Sequence, residues 1–211
     1  MKIVLATSNK HKVQEINDIV NSLPLLEEMD GVRCQQLSDI SIDFILPPEG
    51  FDPVEDGETF EENSKIKALA AWEVSHSWAL ADDSGLCIKS LGGKPGIHSA
   101  RYAETPEKRI ERVLHEMQGV ADREAEFVCA MTLVNPAGEV VFACKGKCEG
   151  SITETPAGVN GFGYDPIFLV KGDTRTMAEL SEDEKNRVSH RWAALSAVIK
   201  YINAHSLLLN S

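Results

Sequence analysis

The chain has 211 residues, 43% hydrophobic and 26% charged, with a formal net charge of −12. That composition describes a globular protein with a sizeable core, long enough for one large domain or two small lobes. A field of that sign repels nucleic acids and anionic membranes, so neither is expected as a partner, and a small anionic ligand needs local lysines or a bound metal to reverse the sign.

The opening MKIVLATSNK has too short an apolar run for a signal peptide, and no stretch is long enough to span a bilayer. The five cysteines, Cys34, Cys87, Cys129, Cys144 and Cys148, contain no C-x-x-C pair. Reduced thiols in a cytoplasmic protein are expected, with a disulfide or metal site as the alternative.

Lys2 to Thr7 is a compact apolar run and reads as a buried strand. The polar stretch Ser8 to Lys12 follows, and then Val13, Ile16, Ile19 and Val20 recur at helical spacing. Gly31 to Leu37 is a candidate second strand. Asp43 to Gly57, rich in Pro, Gly and acids, reads as a loop.

Thr59 and Glu62 form a T-x-x-E capping box that opens a helix to about His76. Trp78 to Asp82 is a strand, which Leu86 to Ile88 can continue. Ser90 to Ala103 is a glycine-rich loop, and Thr105-Pro106 starts a helix to about Gln118. Ala125 to Val134 and Val140 to Cys148 flank Asn135-Pro136-Ala137-Gly138, which makes a long hairpin. Gly158 to Asp165 is a second glycine-rich loop, and Pro166 to Val170 a short strand. Ser181 and Glu184 form another capping box, and from Val188 the residues Trp192, Leu195, Ile199 and Ile202 keep helical period to about Ala204. A hairpin inside a strand–helix alternation predicts a mixed α/β sheet with two lobes.

Five segments have the residue types of a chemical site. Thr7-Ser8-Asn9-Lys10-His11-Lys12 joins a strand to a helix N-terminus, where free N–H groups and the dipole suit phosphate. It is not a G-x-x-x-x-G-K-[ST] loop, and a capped helix start with solvated lysines is the plain alternative. In ADDSG, Asp82 and Asp83 point to opposite faces if extended, so they should not share one job. One such carboxylate can ligate a hard cation or take a proton from water, but D-S-G is also good turn chemistry, and a phosphatase of the D-x-D type is disfavoured. Asn63 and Lys67 share a helix face near the acids Glu55, Asp56, Glu58, Glu61 and Glu62; Glu61 with Lys65 reads as a surface pair. Phe162, between Gly161 and Gly163, offers a flat ring with close backbone approach, as a nucleobase requires or as a core aromatic would show. Lys185, His190 and Arg191 lie on a helical stretch and can equally be surface charge.

The segments ATSNKHK, FEENSKIKA, ADDSGL, LGGKPGIHSARYA, GFGYDPIF and SEDEKNRVSHR occur in that order over nearly the whole chain. Together they resemble the inosine triphosphate pyrophosphatase (Ham1-like) family. The resemblance implies a single domain, residues 1–211, built as an elongated two-lobed α/β fold: a mixed sheet flanked by helices, with a substrate cleft between the lobes. It also implies a homodimer and Mg²⁺-dependent hydrolysis of ITP, dITP and XTP to monophosphate and pyrophosphate, which clears damaged purines from the nucleotide pool.

By motif, the family's proton acceptor and metal ligand falls on Asp83, and its other metal carboxylate on Glu55. Triphosphate binding falls on Thr7, Ser8, Asn9, Lys10, His11, Lys12 and Lys67, with Ser84 also on the substrate. The nucleotide pocket falls on Phe162, Gly163, Tyr164, Asp165, Lys185, His190 and Arg191, and Asp82 is supportive. Two departures stand out: Ser8 replaces a common Gly, and the Asp43–Gly57 loop that carries Glu55 is longer than usual. The rival readings are a Maf-like pyrophosphatase of modified nucleotides, whose motifs differ from SHR and GFGYD, and a nucleotide-binding module without turnover, which has no use for Asp83 and Glu55 beside phosphates.

Overall fold

The structure is a computed structural model that describes residues 1–7, 9–27 and 42–205. Ser8, Cys34 and the strand expected over Gly31–Leu37 lie outside the described residues. Six strands form one mixed sheet: β1 (Lys2–Leu5), β2 (Asp43–Ile45), β3 (Trp78–Ile88), β4 (Glu124–Val134), β5 (Val140–Ile152) and β6 (Phe168–Val170), in the order β2-β1-β3-β4-β5-β6. β1 runs parallel to β2 and to β3, and β5 is antiparallel to β6. The helices are α1 (Lys10–Glu27), α2 (Phe60–Ser75), α3 (Pro106–Glu116), α4 (Glu182–Val188) and α5 (His190–Ala204).

Several boundaries follow from local chemistry. Thr59 Oγ1 accepts from the Glu62 N–H, and Glu62 Oε2 accepts from the Thr59 N–H, so the predicted capping box opens α2. Thr105 caps α3, with Pro106 at its first position, and Ser181 with Glu184 caps α4. The predicted hairpin is β4 and β5, closed at Asn135, whose Oδ1 accepts from the N–H groups of Ala137 and Glu139.

Elsewhere the structure corrects the sequence reading. The acidic loop from Asp43 begins with a three-residue strand, because β1 offers a parallel ladder; Pro47 and Pro48, which cannot donate to it, follow after Leu46. β3 does not stop at Asp82 but runs on through Ser84-Gly85 to Ile88. A Cβ at Gly85 would lie 2.4 Å from both the Gly96 carbonyl and Ser99 Oγ, so this glycine serves close packing rather than a turn. Two short 3₁₀ turns, Lys89–Leu91 and Gly96–Arg101, shape the Ser90–Ala103 loop, the first of them starting one residue before it. Pro166 lies in a 3₁₀ turn, and only Phe168–Val170 is strand. Ser189 is extended (φ −72°, ψ 149°) and separates α4 from α5. Glu61 pairs with Lys145 of β5, whereas the sequence pointed to Lys65.

The chain divides into two compact units. The first comprises Met1–Asp83, Ala130–Lys145 and Trp192–Ser211. Its core sets Ala68 and Ala71 of α2 against Val4 of β1 and Ala79 and Ala81 of β3. These small side chains let the helix lie close to the sheet, and Ser64 fixes it there through a bond to the Ala81 carbonyl (3.1 Å) and one shared with Thr132 Oγ1 (3.0 Å). The second unit comprises Ser84–Cys129 and Gly146–Arg191, with a core of Leu86, Ile88, Val113, Met117, Phe127 and Phe168 among others. The four described cysteines, Cys87, Cys129, Cys144 and Cys148, carry thiols. No helix among the described residues is long and apolar enough to cross a membrane.

Candidate active site

In the first unit, the turn from β1 into α1 is tied by its own side chains. Thr7 Oγ1 accepts from the Asn9 N–H (3.1 Å), and Asn9 Oδ1 accepts from the His11 and Lys12 N–H groups (3.0 and 3.4 Å). Asn9 is therefore the cap of α1. Asn9, Lys10 and His11 are exposed, whereas Lys12 turns to Asp82 and pairs with its Oδ2 at 2.9 Å.

Asp82 and Asp83 take different partners, as alternation along a strand requires. Asp82 is 1% exposed and bonded to Lys12; Asp83 is 7% exposed, and its Oδ1 lies 3.0 Å from Lys67 Nζ. Lys67 also reaches Glu55 Oε2 at 3.3 Å. One ammonium thus joins the carboxylate of a central strand to that of the loop before α2. Burial works against the charge on Lys67, but Asp82, Asp83 and Glu55 outweigh it and hold the lysine above its usual pKa. Burial also raises the Asp83 carboxyl above the usual carboxylate range, against the pull of Lys67. Asp83 Oδ2 is buried and has no hydrogen-bond partner among the described residues.

That donor set fits a hard divalent cation. Glu55 and Asp83 supply carboxylate oxygens, one of them without a hydrogen-bond partner among the described residues, and such ions are commonly held by one or two carboxylates together with phosphate and water. No group of three or more His, Cys, Asp or Glu side chains forms a metal-holding cluster among the described residues. A cation here completes its ligand set with oxygens of solvent or of a phosphate.

The second unit gathers another set of predicted residues. Arg191 is 1% exposed, donates from Nη2 to Ser84 Oγ at 3.0 Å, and has its guanidinium carbon 6.0 Å from the centre of the Phe162 ring. Lys185 Nζ lies 4.5 Å from the same ring centre and 2.8 Å from Asp165 Oδ2. That oxygen also accepts from the Phe162 N–H at 2.7 Å. A Cβ at Gly161, where φ is +72°, would lie 2.2 Å from it. His190 stacks on Phe127, with ring centres 4.9 Å apart. Tyr164 is buried and donates its hydroxyl to the Ser99 carbonyl (2.9 Å), while Gly163 has open space beside it. Phe162 is thus a half-buried ring flanked by two cations, and Tyr164 faces the core.

Sequence reasoning did not find the residues that support these groups. Ser99 accepts from the Leu86 N–H and anchors Tyr164 through its carbonyl, and Phe127 lies under His190. Nothing local signals either, because both contacts join residues far apart in the chain. Asn63, on the same helix face as Lys67, is fully buried, and its Oδ1 accepts from the Gly57 N–H.

The chain belongs to the Ham1 family, whose model matches residues 3–201. It is 41% identical over 194 residues to the dITP/XTP pyrophosphatase of Parasynechococcus marenigrum, covering 92% of this chain and 91% of that one. It is 40% identical over 209 residues to the dITP/XTP pyrophosphatase of Treponema denticola, covering 96% and 98%. A solved HAM1 protein from Coxiella burnetii matches with a TM-score of 0.81 at 38% identity, covering 97% of this chain and 99% of that one.

Proposed function

We propose that this protein is a nucleoside triphosphate pyrophosphohydrolase that converts ITP, dITP and XTP to the monophosphate and pyrophosphate, and so clears damaged purines from the nucleotide pool. The observation that carries the reading is the buried Asp83 oxygen, without a hydrogen-bond partner among the described residues and beside Lys67 and Glu55, in a chain whose relatives are dITP/XTP pyrophosphatases.

Glu55 and Asp83 are the residues to hold Mg²⁺, which when bound offsets the negative charge of the triphosphate and of the leaving group. The chain's own groups do the rest. Lys67, Lys10 and Lys12 bring positive charge to the phosphates, and the α1 N-terminus with Thr7, Ser8, Asn9 and His11 supplies polar contacts. Asp83 orients a water and takes its proton while the water oxygen attacks the α-phosphorus. The bond from that phosphorus to the α–β bridging oxygen breaks, and pyrophosphate leaves with the electron pair. Positioning and charge stabilisation supply most of the rate.

The base is met by the aromatic and cationic side chains. Phe162 offers a stacking face, Lys185 and Asp165 fix it, and Gly163, Tyr164 and His190 complete the surroundings. Arg191 has donors only, so it pairs with the keto oxygen at position 6 of hypoxanthine or xanthine and meets the amino group of adenine donor to donor. Ser84 shares the Arg191 donor and contacts substrate. The active form is proposed to be a cytoplasmic homodimer with nucleotides as its small-molecule ligands.

The test is pyrophosphate release from ITP, XTP, ATP and GTP, with Mg²⁺ and with EDTA. Metal-dependent release confined to ITP and XTP is expected. Release from all four retains the chemistry and overturns the Arg191 account; release from none overturns the enzyme in favour of a binding module.

A further inference from the structure

The loop that carries Glu55 is gripped from one face of α2 at two points. Lys67 meets the Glu55 carboxylate at 3.3 Å. One turn earlier, Asn63 accepts from the Gly57 N–H at 2.9 Å. Positions four apart lie on the same side of a helix, and both side chains are buried, Asn63 completely and Lys67 to 6% exposure. Gly57 fits this grip because it lacks a side chain: a Cβ there would lie 2.7 Å from Glu62 Cβ and 2.8 Å from Asn63 Oδ1. The next two residues continue the fastening, since Glu58 and Thr59 donate their N–H groups to Glu62 Oε2 at 2.7 and 3.1 Å.

Asn63 is also an expensive choice for a purely structural position. Its Nδ2 is buried and has no hydrogen-bond partner among the described residues. An unsatisfied buried donor lowers stability, so retaining an amide here points to what its oxygen does.

We infer that Asn63 is a positioning residue for the metal carboxylate: by holding the Gly57 N–H it fixes the backbone two residues beyond Glu55 and sets that carboxylate opposite Asp83. The inference rests on the proposal that Glu55 and Asp83 hold a divalent cation. Residues that orient a metal ligand from behind commonly change metal affinity ten- to a hundred-fold when removed.

The test is direct titration of the full-length protein with Mn²⁺ alone, followed by calorimetry or by the electron paramagnetic resonance signal of the free ion, with no nucleotide and no turnover. Asn63→Ala should weaken Mn²⁺ binding about ten-fold or more. Asn63→Asp keeps an oxygen at the Gly57 N–H and should bind at least as tightly as the parent. Thr59→Ala removes only the hydroxyl cap of α2, so it should lower the melting temperature and leave Mn²⁺ affinity within about two-fold. Should Asn63→Ala fail to fold, Gly57→Ala pushes the same loop off Asn63 from its half-exposed side and should show the same loss.

Glu55→Gln separates the two ideas. If Glu55→Gln weakens binding and the folded Asn63→Ala or Gly57→Ala protein does not, the positioning role is overturned and the metal reading stands. If Glu55→Gln binds Mn²⁺ like the parent, Glu55 is not a ligand and both fall. If Thr59→Ala weakens binding as much as Asn63→Ala, the loss is a general loosening of the helix start and the inference is again overturned.

Discussion

Lys67 touches only one oxygen of Asp83: Oδ1 lies 3.0 Å from the ammonium, while Oδ2 is buried without a partner among the described residues. The carboxylate is thus held by one atom and available through the other. A buried acceptor left without a donor has a stability cost, which is expected where a group is kept for chemistry rather than for folding.

Replacing that oxygen should abolish proton transfer without removing the side chain's shape. Asp83→Asn is expected to lower kcat for ITP by about 10²- to 10⁴-fold, the range lost with a positioned general base. Steady-state pyrophosphate release measures this, and a variant with near-parental kcat would remove Asp83 from the chemistry.

Removing the lysine should instead cost stability. In Lys67→Met the Asp83 carboxylate stays buried without its cation, and breaking such a pair typically costs about 3–5 kcal/mol. Burial already raises the Asp83 pKa in the folded chain. A carboxyl raised by folding keeps its proton to higher pH when folded than when unfolded, so its stabilising contribution is full at low pH and is lost as pH rises through the folded value. The deficit of the variant should therefore be smaller at about pH 5 than at about pH 8. Chemical denaturation at both pH values tests the sign, and adding Asp83→Asn to Lys67→Met should recover part of the loss.

Base selection is expected to run through Arg191. Arg191→Lys keeps the charge but cannot bond Ser84 and a base oxygen through one planar fork. The ratio of kcat/KM for ITP over ATP should fall about ten-fold or more, mainly through loss on ITP. An unchanged ratio in a folded variant would mean that discrimination lies elsewhere.

Two thiols should be inert. Burial pushes Cys144 and Cys148 up to about 11, and Cys144 donates to the Ala194 carbonyl at 3.3 Å. Thiolates are the reactive form, so alkylation of either at about pH 8 should run about a hundred-fold or more slower than for a free cysteine, until the protein is unfolded. Site-resolved mass spectrometry after a timed iodoacetamide pulse measures it.

Much of this was legible because it is local. The capping boxes at Thr59/Glu62 and Ser181/Glu184 and the Asn135 turn are written in three or four consecutive residues, and each falls where its spacing says. What escaped depends on partners far away in sequence. Asp-Ser-Gly reads as a turn by composition, yet the extended chain continues because Gly85 packs against Gly96 and Ser99. The short strand at Asp43–Ile45 exists only because β1 presents a ladder to it. For the candidate site, residue types and motif order marked the acids, the lysine and the aromatic, but not that Lys67 joins Glu55 to Asp83 or that Asn63 holds Gly57.

The most direct test of the central claim is hydrolysis of ITP in ¹⁸O-labelled water, with mass analysis of both products. Attack at the α-phosphorus predicts one labelled oxygen in inosine monophosphate and unlabelled pyrophosphate. Label in pyrophosphate or inorganic phosphate, or no turnover of ITP with Mg²⁺ present, would contradict the account.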